Sequence, residues 1–172
     1  ELKLPIAYVT FFNGNEHVPR DNESEKAWRA LGVADVREDG DDVFWGPTGD
    51  SGPCGPTTEI YCTDANGKTV EIWNIVFNEY FCDGSREQLD SGKAKLTKLP
   101  FLGIDTGMGL ERLVAIVQKK HSVYENDALS RSERIIIDHT RAARELLSEG
   151  VAPANVGQGY ILRRLIRRAI LH

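Results

Sequence analysis

Residues 103–113 read Gly-Ile-Asp-Thr-Gly-Met-Gly-Leu-Glu-Arg-Leu, and this stretch decides how the rest of the chain is interpreted. A short strand is predicted to end at Asp105, and a helix is predicted from Gly107 to about Lys120. Glycines at such a junction let a ligand or another backbone approach closely. Arg112 falls in the first helical turn, where the helix dipole disfavours a cation, so an anionic ligand explains it better. Taken alone, the stretch also fits a glycine turn followed by a surface arginine.

Around this stretch, predicted strands come first and helices gather behind them. The remaining predicted features are strands over residues 5–12 and 70–81, the start of the short strand at Leu99, a helix capped by Asn22 or Ser24 and ended by Gly32, a Gly/Pro-rich loop from Gly46 to Thr58, a hairpin turn from Asp64 to Lys68, a polar irregular stretch over 83–98, and helices over 132–149 and 158–171. This order predicts an α+β fold, in which a mostly antiparallel sheet has flanking helices and is followed by a helical segment.

Composition narrows the class of protein. The chain has 172 residues, of which 41% are hydrophobic and 27% charged, enough for one ordinary core. No apolar run approaches the roughly 18 residues of a membrane span, so no membrane partner is expected. The three cysteines form no CxxC pair and are interpreted as reduced thiols, which predicts a cytoplasmic location, no metal site and no zinc in this segment.

The two ends of the chain carry opposite charge. Residues 1–111 hold 10 Lys+Arg against 20 Asp+Glu, whereas residues 112–172 hold 11 against 6. A basic back half is able to attract a phosphate backbone. A set of solvated helices explains the charge equally well, so charge alone leaves both interpretations open.

The predicted strand over residues 70–81 has two different faces, because side chains alternate along a strand. The first face, expected to be core packed on helices, carries Glu71, Trp73, Ile75 and Phe77. The second mixes small polar and apolar groups, as ligand pockets do, and carries Ile72, Asn74, Val76, Asn78 and Tyr80. An ordinary half-solvated strand face is the alternative.

Gly107 to Arg112, following a strand, resembles motif 3 of class II aminoacyl-tRNA synthetases, and Asp105 to Arg112 resembles the alanyl type of that family. The resemblance implies that Arg112 contacts the ATP phosphates and that the helix N-terminus, with Gly107 and Gly109, supports the nucleotide. It also implies that Asp105 holds the α-ammonium of alanine beside Gly107, a charge-assisted pair that needs a carboxylate. Asp105 and Arg112 are therefore the expected catalytic residues.

Two further segments resemble the alanyl type. Glu71 to Phe77 (Glu-Ile-Trp-Asn-Ile-Val-Phe) is similar to the family segment in which an asparagine, here Asn74, helps hold the amine and a valine, here Val76, closes the pocket near the methyl group. Phe44 to Ile60 is similar to the family's Gly-Pro-Cys-Gly-Pro loop, and Trp45 matches the tryptophan that lines the amino-acid pocket. Without the family, Trp45 is a core or loop-anchoring aromatic.

The tail resembles the family segments that approach the acceptor stem of tRNA. Asp138-His139-Thr140-Arg141 is similar to the family's Asp-His-Ile-Arg helix, and residues 153–169 are similar to its Pro-Ser-Asn to Arg-Arg-Ala segment. At helical spacing an apolar stripe is predicted at Ile161, Leu162, Leu165, Ile166 and Ala169, with a basic stripe opposite it. The residues expected to bind tRNA are Asp138, Arg141, Asn155, Arg163, Arg164 and Arg167.

The resemblance implies an alanine–tRNA ligase activity that uses alanine, ATP with Mg²⁺, and the acceptor stem of tRNA(Ala). Residues 1–121 are expected to be the second half of the catalytic domain, and residues 122–172 the start of the tRNA-recognition helices. The family's motifs 1 and 2 have no match in these 172 residues, so the chain is expected to be a fragment with little activity alone. A non-catalytic tRNA-binding module derived from a synthetase is the alternative.

Overall fold

The structure is a computed structural model that describes residues 2–124 and 130–172. The chain divides into two compact units, Glu1–Val123 and Tyr124–His172. The first contains the strands β1 (Ile6–Phe12), β2 (Val36–Asp39), β3 (Phe44–Trp45), β4 (Gly52–Thr63), β5 (Thr69–Cys82) and β6 (Leu96–Met108), with the helices α1 (Asn22–Ala30), α2 (Arg86–Asp90) and α3 (Leu110–Val117). The second contains the helices α4 (Arg131–Ser148) and α5 (Gly157–Leu171).

The first unit is built on one mostly antiparallel sheet, as predicted. Its strand order is β2-β1-β4-β5-β6, and the short β3 pairs with β4 outside this path. β1 and β2 run parallel, whereas β1–β4, β4–β5 and β5–β6 are antiparallel. Helices flank the sheet, so this unit has the α+β character expected from the order of its elements.

The predicted loop from Gly46 to Thr58 is wrong over its second half, because β4 begins at Gly52 and is a central strand of the sheet. Gly55 and Pro56 lie where pairing with β5 is irregular, between Cys54 and Thr57, whereas Gly52 and Pro53 pair with Cys82 and Phe81. Pro56 faces the short β3 there instead of occupying a regular ladder position. The pairing with β1 and β5 therefore overrides the local loop composition.

The long strand and its hairpin turn agree with the sequence prediction. β5 spans Thr69–Cys82 and pairs with β4 across the turn at residues 64–68. The Asp64 carboxylate accepts hydrogen bonds from the backbone N–H groups of Asn66 and Lys68, each at 2.8 Å. Gly67 has a φ of +78°, which glycine adopts without steric cost. This turn fixes the register of the two strands that carry most of the candidate site.

Helix boundaries differ from the prediction at the capping residues. The N-cap of α1 is Asp21, whose side chain accepts from the Ser24 N–H at 2.9 Å, so neither Asn22 nor Ser24 is the cap. The strand β6 begins at Leu96, not Leu99, and continues through Gly107 to Met108.

The other corrections concern the segments on either side of β6. α3 spans only Leu110–Val117, because the strand pairing of β6 with β5 continues as far as Met108. The stretch over residues 83–98, expected to be irregular, contains α2 with a Ser85–Gln88 capping box.

The second unit is a hairpin of two helices, and each helix begins and ends within a residue or two of its predicted bounds. Ser130 caps α4 through a capping box with Glu133. On α5, Leu162 is fully buried, and Leu165, Ile166 and Ala169 are half-buried. Ile161 is 55% exposed, so its predicted place in the apolar stripe is wrong. It lies one position before Leu162, which rotates it away from the face packed against α4.

Within the described residues, no helix is both long enough and apolar enough to cross a membrane.

Candidate functional site

The sheet brings four of the predicted site residues onto one face. β5 and β6 pair so that Val76 lies opposite Asp105 and Asn74 lies opposite Gly107. Directly opposed residues of antiparallel strands point to the same face, with Cβ atoms about 4.5–5.5 Å apart. The prediction that Asn74 and Val76 share a face is therefore confirmed. We call the face that carries these residues the amide face.

β4 and β1 extend the amide face on the other side of β5. Glu59 lies opposite Asn74, and Thr57 lies opposite Val76. In turn Thr10 of β1 lies opposite Glu59. The amide face therefore crosses four neighbouring strands, from a buried threonine on β1 to an exposed aspartate on the edge strand β6.

Buried polar atoms are concentrated on the amide face. Within the described part of the chain, four buried atoms of this face have no hydrogen-bond partner: Thr10 Oγ1, Thr57 Oγ1, Asn74 Oδ1 and Asn78 Oδ1. A buried polar group without a partner costs about 1–3 kcal/mol. Each of these atoms needs a partner that the protein does not supply, and ordered water or a bound polar ligand provides one.

Asp105 stands between two glycines on β6. It is exposed, and its Oδ1 accepts a hydrogen bond from the N–H of Thr106 at 2.8 Å. Gly103 lies opposite Asn78 and Gly107 lies opposite Asn74. A Cβ added at Gly107 would meet nothing within 4 Å. The space beside the carboxylate is therefore left open by the protein and is available to a small ligand.

Glu59 is a further residue of the amide face, which the sequence analysis missed. Its carboxylate is only 8% exposed and accepts hydrogen bonds from Asn74 Nδ2 at 3.0 Å and from the Tyr61 hydroxyl at 2.7 Å. Burial raises the pKa of Glu59, while the hydrogen bond from Tyr61 opposes that shift. Had residues 52–63 been interpreted as a strand, the alternation of Thr57, Glu59 and Tyr61 would have indicated a carboxylate on one face.

Ile72 is a correction to the predicted faces of β5. The pairing skips it, since Ile60 lies opposite Trp73 and Tyr61 lies opposite Glu71. Ile72 is buried in a cluster with Val9, Ile60, Cys62 and Ile116, the last of these on α3. The irregularity changes the alternation, because an extra residue on one strand shifts every side chain beyond it to the other face.

The Arg112 side chain contacts β5 next to this irregularity, at Glu71. Its Nη1 donates to the backbone carbonyl of Glu71 at 2.8 Å and lies 3.3 Å from the Glu71 carboxylate. A Cβ at Gly109 would come within 3.1 Å of the Arg112 side chain. Gly109 is the N-cap of α3 and makes no side-chain capping bond. The guanidinium, the Glu71 carboxylate and the start of α3 therefore lie together beside β5.

Trp45 lies on β3, opposite Gly55 of β4. Gly55 is two positions from Thr57 of the amide face, and Trp45 is half-buried. Its neighbour Phe44 belongs to a buried cluster with Phe12, Val18, Val43, Cys54, Tyr80 and Cys82. The tryptophan is thus attached through Phe44 to a rigid core, and the irregular pairing between Cys54 and Thr57 lies between its partner Gly55 and the regular register of the amide face.

Arg86 of α2 holds the backbone on both sides of Trp45. Its Nη1 donates to the carbonyl of Phe44 at 2.6 Å and lies 3.4 Å from that of Gly46. Its Nε donates to Asp90 at 2.8 Å, which orients the guanidinium. Arg86 is therefore a structural anchor for the segment that carries Trp45.

We expect Arg86→Ala to lower the free energy of unfolding by about 1–3 kcal/mol, because it leaves the Phe44 carbonyl without its donor. Urea unfolding followed by tryptophan fluorescence measures this change. Arg29→Ala is the control, since the exposed Arg29 pairs with Glu25 one turn earlier on α1 and the loss of this pair is expected to cost less than about 0.5 kcal/mol. Equal midpoint shifts for the two variants would contradict the anchoring role.

The residues predicted to bind tRNA lie in the second unit. Asp138 and Arg141 are on α4, Asn155 is exposed in the connection, and Arg163, Arg164 and Arg167 are on α5. The guanidinium groups of Arg163 and Arg164 lie 5.6 and 5.7 Å from the centre of the Tyr160 ring. A cleft of about 430 Å³ is lined by His139, Tyr160 and four arginines of α5.

Gly159 fixes the connection that carries Asn155. A Cβ at Gly159 would lie 2.4 Å from the Ala152 carbonyl oxygen and 2.9 Å from the Ala154 nitrogen. The Ala154 N–H in turn donates to the Gly159 carbonyl at 2.9 Å. The backbone around Asn155 is thus packed closely on the first turn of α5, which holds this residue beside the basic helix.

Comparison with known proteins gives one consistent result. The sequence profile of the family described as "tRNA synthetases class II (A)" matches residues 2–172. An alanine–tRNA ligase of Borreliella burgdorferi is 41% identical over 202 residues, covering 95% of this chain and 33% of the relative. One of Treponema denticola is 40% identical over 214 residues, covering 99% and 34%. One of Rubrobacter xylanophilus is 35% identical over 207 residues, covering 94% and 23%.

The chain spans about a third or less of the length of these curated relatives. An alignment to an alanine–tRNA ligase of Francisella tularensis extends over 211 residues while covering all of this 172-residue chain, so that relative has positions without a counterpart here. The sequence predicts a shortened link over Val123 to Glu133. Residues 125–129 of that link lie outside the described residues.

Proposed function

The chain belongs to the class II tRNA synthetase (A) family, and on that premise we propose that it is part of an alanine–tRNA ligase, with the amide face as its alanine site. The observation that carries the proposal is the grouping of Asn74, Val76, Asp105 and Gly107 on two paired strands, with an open space beside the carboxylate. The alanine–tRNA ligases that match 95% or more of the chain support the same conclusion.

Alanine fits this face by its chemistry. The Asp105 carboxylate meets the ammonium as a charge-assisted pair, and the Asn74 oxygen offers a second acceptor. Val76 lies opposite Asp105 and two positions from Asn74 on the same face, where its branched side chain is proposed to face the methyl group of alanine. Trp45, on β3, is proposed to line the same site. The residues thus hold the amino acid by its amine and leave its carboxylate free to react.

The proposed reaction has two steps. The alanine carboxylate attacks the α-phosphorus of ATP, which gives alanyl-adenylate and releases pyrophosphate. The 3′-terminal ribose hydroxyl of tRNA then takes the alanyl group and releases AMP. Positioning and charge stabilisation supply the catalysis in such phosphoryl chemistry, so a dedicated general base is not required.

The ATP end of the site is proposed at the start of α3. Arg112 presents a guanidinium there, and the N-terminal N–H groups of α3 follow Gly109, which offers no side-chain cap. Phosphates fit both features, since helix N-termini and arginines bind anions. The Glu71 carboxylate beside Arg112 provides oxygen atoms of the kind that bind Mg²⁺, and Mg²⁺ enters as the partner of ATP.

The tRNA end is proposed on the second unit. Arg164 and Arg167 are exposed on α5, Arg163 is half-buried beside them, and the cleft at Tyr160 combines an aromatic ring with guanidinium groups. Guanidinium groups along one helix suit contacts to a phosphate backbone. Asp138, Arg141 and Asn155 complete the proposed surface for the acceptor stem, and a cytoplasmic location belongs to the same proposal.

The direct test is alanine-dependent exchange of pyrophosphate into ATP by the complete protein encoded by the reading frame that carries this chain. We expect exchange with alanine and a lower specificity constant for glycine and serine. Exchange that requires a different amino acid, or no amino acid, would refute the alanine site. Attachment of alanine to tRNA in the same preparation tests the second step.

Gly107→Ala is expected to affect ligand binding without affecting the stability of the fold. A methyl group at Gly107 meets no protein atom within 4 Å, so the free energy of unfolding in urea is expected to stay within about 0.5 kcal/mol of the wild type. The same methyl group occupies the space beside Asp105, so the KM for alanine is expected to rise about tenfold or more. Thr97→Ala, at an exposed position of the same strand, is the control and leaves both quantities unchanged. An unchanged alanine KM for Gly107→Ala contradicts this placement.

A further inference from the structure

Glu59 is a buried carboxylate in the centre of the sheet. It is 8% exposed and lies on β4, opposite Thr10 of β1 and Asn74 of β5. Buried carboxylates are rare in proteins unless they are paired or hydrogen-bonded. In the part of the chain that the structure describes, no Lys or Arg pairs with this carboxylate, and its hydrogen bonds come from Asn74 and Tyr61. An ion pair therefore does not explain why a carboxylate is buried at this position.

The hydrogen bond to Asn74 decides which way that amide points. An ionised carboxylate only accepts hydrogen bonds, so the Asn74 group facing Glu59 has to be the NH₂. Asn74 Nδ2 donates to Glu59 Oε1 at 3.0 Å. The opposite atom, Oδ1, is then directed away from Glu59. It is buried and has no partner in residues 2–124 and 130–172.

The orientation matters because the two ends of an amide have opposite polarity. An ammonium group has three donors and no acceptor, so it is attracted by Oδ1 and repelled by the NH₂ group. A flipped Asn74 would present two N–H groups toward the Asp105 side of the face and leave Glu59 facing an oxygen. Both changes are unfavourable, and Glu59 therefore selects the orientation that suits a cationic amine.

We propose that Glu59 is a positioning residue, which holds the Asn74 side chain with its oxygen presented to the ammonium of the bound amino acid. This inference rests on the proposed alanine site. Glu59 acts through Asn74 and does not itself contact the substrate. The Tyr61 hydroxyl, bonded to the second carboxylate oxygen at 2.7 Å, fixes the rotamer of Glu59.

Two substitutions of Glu59 by side chains of similar length distinguish an effect on the orientation of the Asn74 amide from an effect on packing. Glu59→Gln retains an oxygen that accepts from Asn74 Nδ2, while its own NH₂ group donates to the Tyr61 oxygen. Glu59→Met has neither acceptor, so the Asn74 amide is free to flip. Tyr61→Phe is the matched control, since it removes the other hydrogen bond to Glu59 and keeps the aromatic ring that stacks on Tyr8.

The first measurement is the side-chain ¹H–¹⁵N amide pair of Asn74 in this 172-residue chain, observed by NMR without ligand. We expect one downfield-shifted, slowly exchanging proton in the wild type, Glu59→Gln and Tyr61→Phe, and its loss in Glu59→Met. A downfield proton that persists in Glu59→Met would overturn the proposed orientation, whatever the function of the chain.

The second measurement is the KM for alanine and for ATP in the pyrophosphate exchange reaction of the complete protein. Glu59→Met is expected to raise the alanine KM about tenfold, the cost of one lost hydrogen bond to a charged group, with the ATP KM unchanged. Glu59→Gln is expected to restore the alanine KM to within about threefold.

The outcomes distinguish this inference from the proposed function. The alanine KM could rise equally in Glu59→Gln and Glu59→Met while the Asn74 signal of Glu59→Gln stays normal. That result would mean that the negative charge of Glu59 matters for alanine binding, and it would overturn the positioning role. Wild-type protein without alanine-dependent exchange would overturn the proposed function and, with it, the ligand part of this inference, and the NMR result would still decide the amide orientation. If Glu59→Met does not fold, the wild-type Asn74 signal carries the test, since the absence of a downfield, slowly exchanging side-chain proton there would overturn the proposed orientation.

Discussion

Gly55→Ala is expected to lower the free energy of unfolding of the first unit by about 3 kcal/mol or more. A Cβ at this position would lie 1.8 Å from the carbonyl oxygen of Phe77 and 3.1 Å from the nitrogen of Glu79. The obstacle is the backbone of β5, which is itself paired on its other side to Ile104 of β6. Neither strand can move away without breaking the sheet, because Gly55 is held on its other side by the pairing with Trp45.

The expected size follows from the usual cost of overpacking. Forcing extra atoms into a packed interior costs about 1–3 kcal/mol, backbone shifts included, and occasionally more. Small domains have a total stability of about 5–15 kcal/mol, so a loss above about 3 kcal/mol removes a large part of it, and a loss of about 5 kcal/mol unfolds a domain at the lower end of that range. Circular dichroism during urea and thermal unfolding measures the loss, and the yield of soluble chain is a second readout.

Gly107→Ala is the matched control for Gly55→Ala. Both residues are strand glycines that receive the same methyl group, but the methyl at Gly107 meets open space. The two variants are therefore expected to differ. Gly55→Ala should lose much of its free energy of unfolding, whereas Gly107→Ala should keep the wild-type stability and show a raised KM for alanine. A Gly55→Ala chain with a wild-type urea midpoint would mean that β4 and β5 do not approach as closely as described.

Prediction from sequence succeeded where a regular pattern spans many residues. The alternation along β5 is twelve residues long in the sequence analysis, and it placed Asn74 and Val76 on one face because a single register covers both positions. The helices α4 and α5 were predicted within a residue or two, since each carries a long 3.6-residue period.

Prediction failed at β4 and at Ile72, for reasons that act over long distances in sequence. The glycines and prolines of β4 indicate a loop locally, and only its position between β1 and β5 makes it a strand. Ile72 left its predicted face because β4 and β5 are out of step at Ile60, which no pattern within β5 reveals. Glu59 was missed as a consequence, since its role depends on recognising β4 first.

Asp105→Asn is expected to give the largest functional loss of a substitution that keeps the fold. The carboxylate is exposed, and no Lys or Arg pairs with it in the described ranges 2–124 and 130–172. The fold therefore does not depend on its charge, and the free energy of unfolding in urea is expected to stay within about 0.5 kcal/mol of the wild type. The ammonium of alanine, in contrast, loses the charged partner that Asp105 supplies.

A hydrogen bond to a charged group contributes about 1.5–3 kcal/mol, so the alanine KM is expected to rise about 10- to 150-fold. The KM for ATP is expected to stay unchanged, because the nucleotide is proposed at the start of α3. Pyrophosphate exchange by the complete protein, with alanine and ATP varied separately, measures both constants. Asp50→Asn, at another exposed aspartate of the first unit, is the control and is expected to change neither.

The comparison of Asp105→Asn with Gly107→Ala decides which carboxylate neutralises the substrate. If both raise the alanine KM, the amine lies between Asp105 and Asn74 as proposed. If only Gly107→Ala does so, the space beside β6 is the alanine site but the charge is met elsewhere on the amide face. Glu59 is a second carboxylate of that face, and its hydrogen bonds with Asn74 and Tyr61 would then have to open to reach the ligand. Glu59→Gln would in that case reproduce the loss expected here for Asp105→Asn, which makes the two carboxylates experimentally separable.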